Sequence, residues 1–210
     1  MKSSMLVCLC FVLMGLTVSV KAQTDLKYGV TAGLNFSTLN GKDAAVLGSN
    51  LSSKNGLYIG GFLNYPFSDM FALQPELAFT MKGANNSGGG VTETWSFNYL
   101  EIPVLVKYYV PISGSTNIKP DLYAGPAFAF NIAASDEVSQ GSQTLTTDIK
   151  DQTKGFDLGL AFGGGVGFNV GNSLLDFSLR YTLGLTSTDN SGNNYTITNG
   201  VFAIVAGYTF

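Results

Sequence analysis

The stretch LGLAFGGGVGFNVG, residues 158–171, can be read in two ways, and each implies a different fold. Its glycine run looks like a loop that wraps phosphate. Taken every second residue from position 156, it is a strand. Phe156, Leu158, Leu160, Phe162, Gly164, Val166, Phe168 and Val170 fall on one face. Asp157, Gly159, Ala161, Gly163, Gly165, Gly167 and Asn169 fall on the other. That period of two is the spacing of a β-strand. The phosphate reading fails on its own requirements. A GxGxxG fingerprint begun at Gly163 needs a glycine where Phe168 stands, no GK[ST] follows, and the next segment alternates again instead of opening a helix.

The same alternation recurs along the chain, at roughly 27–36, 56–66, 70–82, 95–110, 119–131, 155–171, 173–186 and 200–210. No segment has a helical period. The connections alternate too. SDM (68–70), PISGSTNIK (111–119) and GNS (171–173) are short, whereas about 37–55, 83–94, 132–154 and 187–199 are long and rich in Ser, Thr, Asn and Gly. Eight strands with short and long loops at opposite ends predict an all-β, antiparallel up-and-down barrel. Pro75, Pro103 and Pro126 fall inside strands, where each removes a ladder donor. Bulges or local distortions are expected at these three positions.

Composition decides which face is inside. Charged residues make up 12% of the 210-residue chain, against ~25% in soluble domains. An interior eight strands wide only just holds side chains. A Leu/Phe face on every strand would overfill it and leave a poorly charged surface to water. With Gly and Ala inward, the apolar face meets lipid and the closed ladder pairs every backbone group. A soluble lipocalin-like ligand binder, with the faces reversed, is the alternative. Tyr28, Phe36, Tyr65, Phe67, Trp95, Tyr108, Tyr208 and Phe210, near strand ends, are expected at the membrane interfaces. The charges agree with this orientation. Glu76, Glu101, Lys107, Asp121, Asp157, Asp176 and Arg180 share the small-residue face, and on the lipid face a midplane Arg or Lys would cost ~2–4 kcal/mol. A structural ion-pair network in the lumen is therefore expected. Arg180 should pair with Glu76, Glu101 or both, and Lys107 should lie near Asp121 or Asp176. Tyr58, Phe62, Tyr99, Tyr109 and Tyr123 should help plug the bore.

The N-terminus reads as a secretory signal peptide over residues 1–22. Lys2 is followed by an apolar run from Met5 to Val20, and Val20 and Ala22 sit at the −3 and −1 positions of a cleavage site. The barrel domain then spans 23–210. Both cysteines, Cys8 and Cys10, lie in the removed segment, so no disulfide, zinc or thiol chemistry is expected. Losing Lys2 and Lys21 leaves nine basic against fourteen acidic residues, an acidic chain unsuited to nucleic acid. Histidine is absent, which excludes Ser–His catalysis and His-based metal sites. Asp136, Glu137, Asp148 and Asp151 share one long loop and read as solvated acids in preference to a calcium site. No catalytic residue, cofactor or metal is expected.

LQPELAFTMKG (73–83), NYLEIPVLVKYYV (98–110), DLYAGPAFAF (121–130) and the closing GYTF resemble the PorT-like family over essentially the whole mature chain. These are small outer-membrane β-barrel proteins common in Bacteroidetes, often labelled porin-family. The resemblance implies an eight-stranded barrel in the outer membrane, with short periplasmic turns and long extracellular loops, and no catalytic motif. One member is linked with a protein secretion system. The expected role is non-enzymatic, structural or interactive, through the long loops. A narrow pore or an accessory to transport or secretion is the alternative. The expected partners are outer-membrane lipid and an extracellular or secretion-system protein, and the expected state is a monomer.

Overall fold

The computed structural model describes residues 26–113 and 117–210. The segment read as a signal peptide lies outside the described residues. Nine strands run in chain order: β1 (Lys27–Asn40), β2 (Leu51–Pro66), β3 (Phe71–Gly88), β4 (Val91–Tyr109), β5 (Ile118–Gln140), β6 (Gln143–Asp148), β7 (Phe156–Val170), β8 (Ser173–Gly184) and β9 (Thr198–Thr209). All pairings are antiparallel. β1 pairs with both β2 and β9, and β4–β5 and β5–β7 complete a closed eight-stranded ring that leaves β6 outside it.

The alternation sets the faces. In β7, Phe156, Leu160, Phe162 and Phe168 are exposed on the outer wall, while Asp157, Gly159, Ala161 and Gly167 are buried on the inner one. β9 shows the same split, with Phe202, Ile204 and Tyr208 outward and Ala203, Val205 and Gly207 inward. Apolar side chains therefore cover the outside of the ring, and the lipocalin-like arrangement is ruled out. Aromatic contacts belt the end where β1 begins and β9 finishes, with Tyr28 against Phe210 at 5.3 Å and Phe71 against Tyr108 at 5.1 Å. Trp95 departs from its expected interfacial position. It is buried in the lumen, because its parity on β4 is that of Tyr99 and Glu101.

Two of the expected long loops are strands. Residues 83–94 form a hairpin around Gly89 and Gly90, both at positive φ as a tight hairpin turn requires. Residues 132–154 carry the end of β5, a turn at Gly141 and Ser142, and β6. A spanning strand needs only ~9–11 residues, so β4 with 19 and β5 with 23 run well past the membrane. Above Leu100 the outward positions of β4 change to Asn98, Ser96, Thr94 and Thr92. Beyond the bilayer the outer face meets water and need not be apolar, so the lipid-facing pattern ends while the ladder continues, with Trp95 and Phe97 still buried inside. The segment expected as a loop at 37–55 shortens likewise, to 41–50 with one 3₁₀ turn at Ala44–Leu47.

The bulges are not at the prolines. Register shifts occur between Ser53 and Tyr58 of β2 and between Asn98 and Tyr99 of β4, the latter facing two consecutive exposed residues, Ile132 and Ala133. At Pro75, Pro103 and Pro126 the register is kept and ladder pairs drop out instead. β2–β3 is unpaired between Tyr65–Leu73 and Phe62–Glu76, at Pro75; β3–β4 between Pro75–Val104 and Ala78–Glu101, at Pro103; and β4–β5 between Pro103–Ala127 and Val106–Ala124, at Pro126. The missing donors are absorbed as gaps in the ladder.

Candidate functional site

Three layers of charged and polar side chains cross the lumen. The middle layer is built from strands on opposite sides of the ring. Arg180 of β8 reaches Glu76 of β3 through two 2.9 Å hydrogen bonds, and its Nη1 also donates to the Tyr58 hydroxyl at 2.9 Å. Tyr58 in turn donates to Glu76, as does Gln74 Nε2 at 2.8 Å. A fork of guanidinium donors on both carboxylate oxygens is the strongest pairing available to these groups. All three side chains are almost wholly buried.

Glu101 belongs to a different layer. Of the two carboxylates expected for Arg180, it meets Glu76 alone. Glu101 instead meets Lys82 Nζ at 2.5 Å, and Lys82 also lies 3.9 Å from Asp157. Asn199 donates to Asp157 at 2.8 Å, and the Lys82 ammonium sits 4.9 Å over the Tyr99 ring. Lys82 joins the expected lumen charges, and parity along β3 places it on the face of Glu76, Ala78 and Thr80. In the third layer Lys107 Nζ contacts Asp121 at 3.1 Å, between the rings of Tyr109 and Tyr123. Asp176 lines the same part of the lumen and is half-buried.

The two ends of the lumen differ. Toward the end where β1 begins and β9 finishes lies a polar vestibule of about 460 Å³, which reaches Glu76 and Arg180 and is lined by Phe62, Tyr109 and Asp176. At the other end Leu39, Trp95, Phe97, Tyr99 and Ile197 pack into an apolar cap, with Leu47, Leu51, Ile149 and Tyr195 of the connecting segments against it. The four acids expected to share a loop fall on two paired strands and the 3₁₀ turn Lys150–Gln152, which holds Asp151. Asp136 lies on β5 opposite Trp95, Glu137 faces Thr146, and Asp148 accepts from the Lys150 amide. Among the described residues no group of three or more acidic or cysteine side chains is placed to hold a metal.

The family described as outer membrane protein beta-barrel domain matches residues 21–190. The chain belongs to this family. Its barrel lies in the outer membrane, with the short turns periplasmic and the long hairpins outside. No curated protein matches the chain. Among solved structures it is similar to the attachment invasion locus protein Ail of Yersinia pestis, with 16% identity, 88% of this chain and 98% of that one covered, and a TM-score of 0.44. Neisserial surface protein A aligns at 16% identity, with 87% and 95% covered and a TM-score of 0.49. OprG from Pseudomonas aeruginosa aligns at 13% identity, with 88% and 94% covered and a TM-score of 0.46. At such identities no function passes from those proteins to this one. In the outer-membrane frame the vestibule opens to the periplasm and the apolar cap faces the cell exterior.

Proposed function

We propose that this outer-membrane barrel is a non-enzymatic interaction protein whose lumen is a structural lock and whose protruding hairpins meet a partner outside the cell. One observation carries the reading. Charged layers and an apolar cap fill the bore above the vestibule, while the strands continue well beyond the length a membrane needs. Glu76, Glu101, Lys107, Asp121, Asp176 and Arg180, joined by Lys82 and Asp157, then serve to hold opposite walls together. In this reading the mature chain begins after a cleaved segment at residues 1–22 and acts as a monomer.

Planar-bilayer recording tests it. The purified protein should give no steady conductance, and a stable ohmic current would overturn the lock. A second reading draws on the vestibule, which is open to the periplasm. There the barrel would be an accessory to transport or secretion, in line with the resemblance of its YLEIP and AGP segments to the PorT-like family of Bacteroidetes. Crosslinking in native membranes separates the two. Adducts from the outer hairpins favour the first reading, and adducts from residues 67–70 or 171–172 favour the second.

A further inference from the structure

The protruding sheet ends on a bare edge. β6 pairs with β5 on one side only, and all six of its residues are exposed. The hairpin turns on two residues, so its closing pair Gln140–Gln143 is hydrogen-bonded, and the bonded pairs recur at Leu145 and Thr147. The backbone N–H and C=O groups of Thr144 and Thr146 therefore point away from β5. No backbone hydrogen bond joins them to another segment among the described residues. Natural edges are commonly blunted by lysine, proline or a bulge, and QTLTTD contains none of these.

The two faces of this edge differ. On one, Leu145 is 68% exposed beside its half-open partner Val138. On the other, Glu137 stands opposite Thr146 and Asp148 opposite Ser135, and the β4–β6 positions of that face above the membrane hold no lysine or arginine.

We propose that β6 takes up a strand from an extracellular protein, an extended segment with lysine or arginine on one face and apolar side chains on the other. Main-chain bonds to Thr144 and Thr146 hold it, Leu145 and Val138 pack its apolar face, and Glu137 and Asp148 select its basic one. A second copy of this chain is a poor occupant, because its own β6 would bring carboxylates against carboxylates within a Debye length. The proposal rests on the outer hairpins being an interaction surface and names the strand that does it.

The test uses the whole protein in lipid nanodiscs and a fluorescent seven-residue peptide of alternating lysine and valine. The peptide is N-methylated along one edge so that it cannot stack on itself. Saturable binding is expected. Thr146→Pro removes an outward donor while sparing the bonds to β5, and it should weaken binding at least about tenfold. Heat-modifiable gel mobility shows that the variant is folded. Glu137→Gln with Asp148→Asn should weaken binding and flatten its salt dependence. Equal binding by Thr146→Pro, or by a peptide with glutamate in place of lysine, would overturn the proposal. So would a dimer in sedimentation that Thr146→Pro abolishes. If wild type fails to bind the peptide while native-membrane adducts still come from other outer hairpins, the edge assignment falls and the interaction reading stands.

Discussion

Arg180 stands directly opposite Gly163 in the β7–β8 ladder, and the space that a side chain at 163 would need is taken by Tyr123. A Cβ at 163 would come within 2.8 Å of the Tyr123 hydroxyl. The Tyr123 ring lies 5.4 Å from the guanidinium carbon, and the Tyr58 ring lies 5.1 Å from it on another wall. The glycine run of β7 thus clears the lumen where the longest charged side chain crosses it. Small residues on one strand make room for a large one on the next.

Removing one partner of the central pair should be costly. Arg180→Met leaves the buried Glu76 carboxyl without its partner in the bore, which should cost ~3–5 kcal/mol. The double variant Arg180→Met, Glu76→Leu should recover part of that loss. Urea unfolding in liposomes reads both. Single and double variants of equal stability would show that the pair does not couple the walls.

Gly165→Leu should impair folding. Even its Cβ would sit 2.8 Å from Ser178 Cβ and 2.9 Å from the Phe177 carbonyl oxygen. The folded, heat-modifiable band should shrink sharply on gels. Titration with inorganic phosphate should give no binding in wild type or variant. Normal folding of Gly165→Leu would contradict the close wall packing described here.

Trp95 is the sole tryptophan of the chain and lies in the apolar cap, 7% exposed. Its fluorescence should resist quenching both by brominated lipid and by aqueous acrylamide. An interfacial tryptophan would respond strongly to the lipid quencher, and that result would restore the placement expected from sequence.

The outer hairpin should loosen as pH rises. Burial, and then the neighbouring Asp136 carboxylate, hold Glu93 above the usual carboxylate range, and burial raises Asp136 as well. The folded hairpin therefore binds protons more tightly than the unfolded one. Its stability is fullest below the ordinary carboxylate pKa and declines as pH climbs through the raised values. Amide exchange at Thr92, Thr94 and Glu137, corrected for its intrinsic pH dependence, should accelerate over that window. Glu93→Gln should remove most of the effect. A flat corrected profile in wild type would overturn the assignment.

Parity made much of this protein legible. Period-two spacing placed Leu158, Phe162 and Phe168 on one face and Asp157, Asp176 and Arg180 on the other, because a strand turns successive side chains to opposite sides. Low charge and an interior too narrow for a leucine face then decided which side met lipid. The same parity held Lys82 and Trp95 in the lumen, and both could have been found by counting along β3 and β4. Strand ends were harder to see. Above Leu100 the outer face meets water while Trp95 and Phe97 stay buried inside, so nothing obliges Asn98, Ser96, Thr94 or Thr92 to be apolar, and the ladder outlasts the lipid-facing pattern.

The barrel, its inside and outside, and the set of charges confined within it follow from local alternation and the cost of exposing charge to lipid, and so are written along the chain. That Arg180 takes Glu76 while Glu101 takes Lys82, and that β6 stands outside the ring with a free edge, emerges only in the assembled sheet. Those pairings depend on how far each strand is staggered against its neighbour around a closed ring, and stagger is a property of the whole sheet that no single strand encodes.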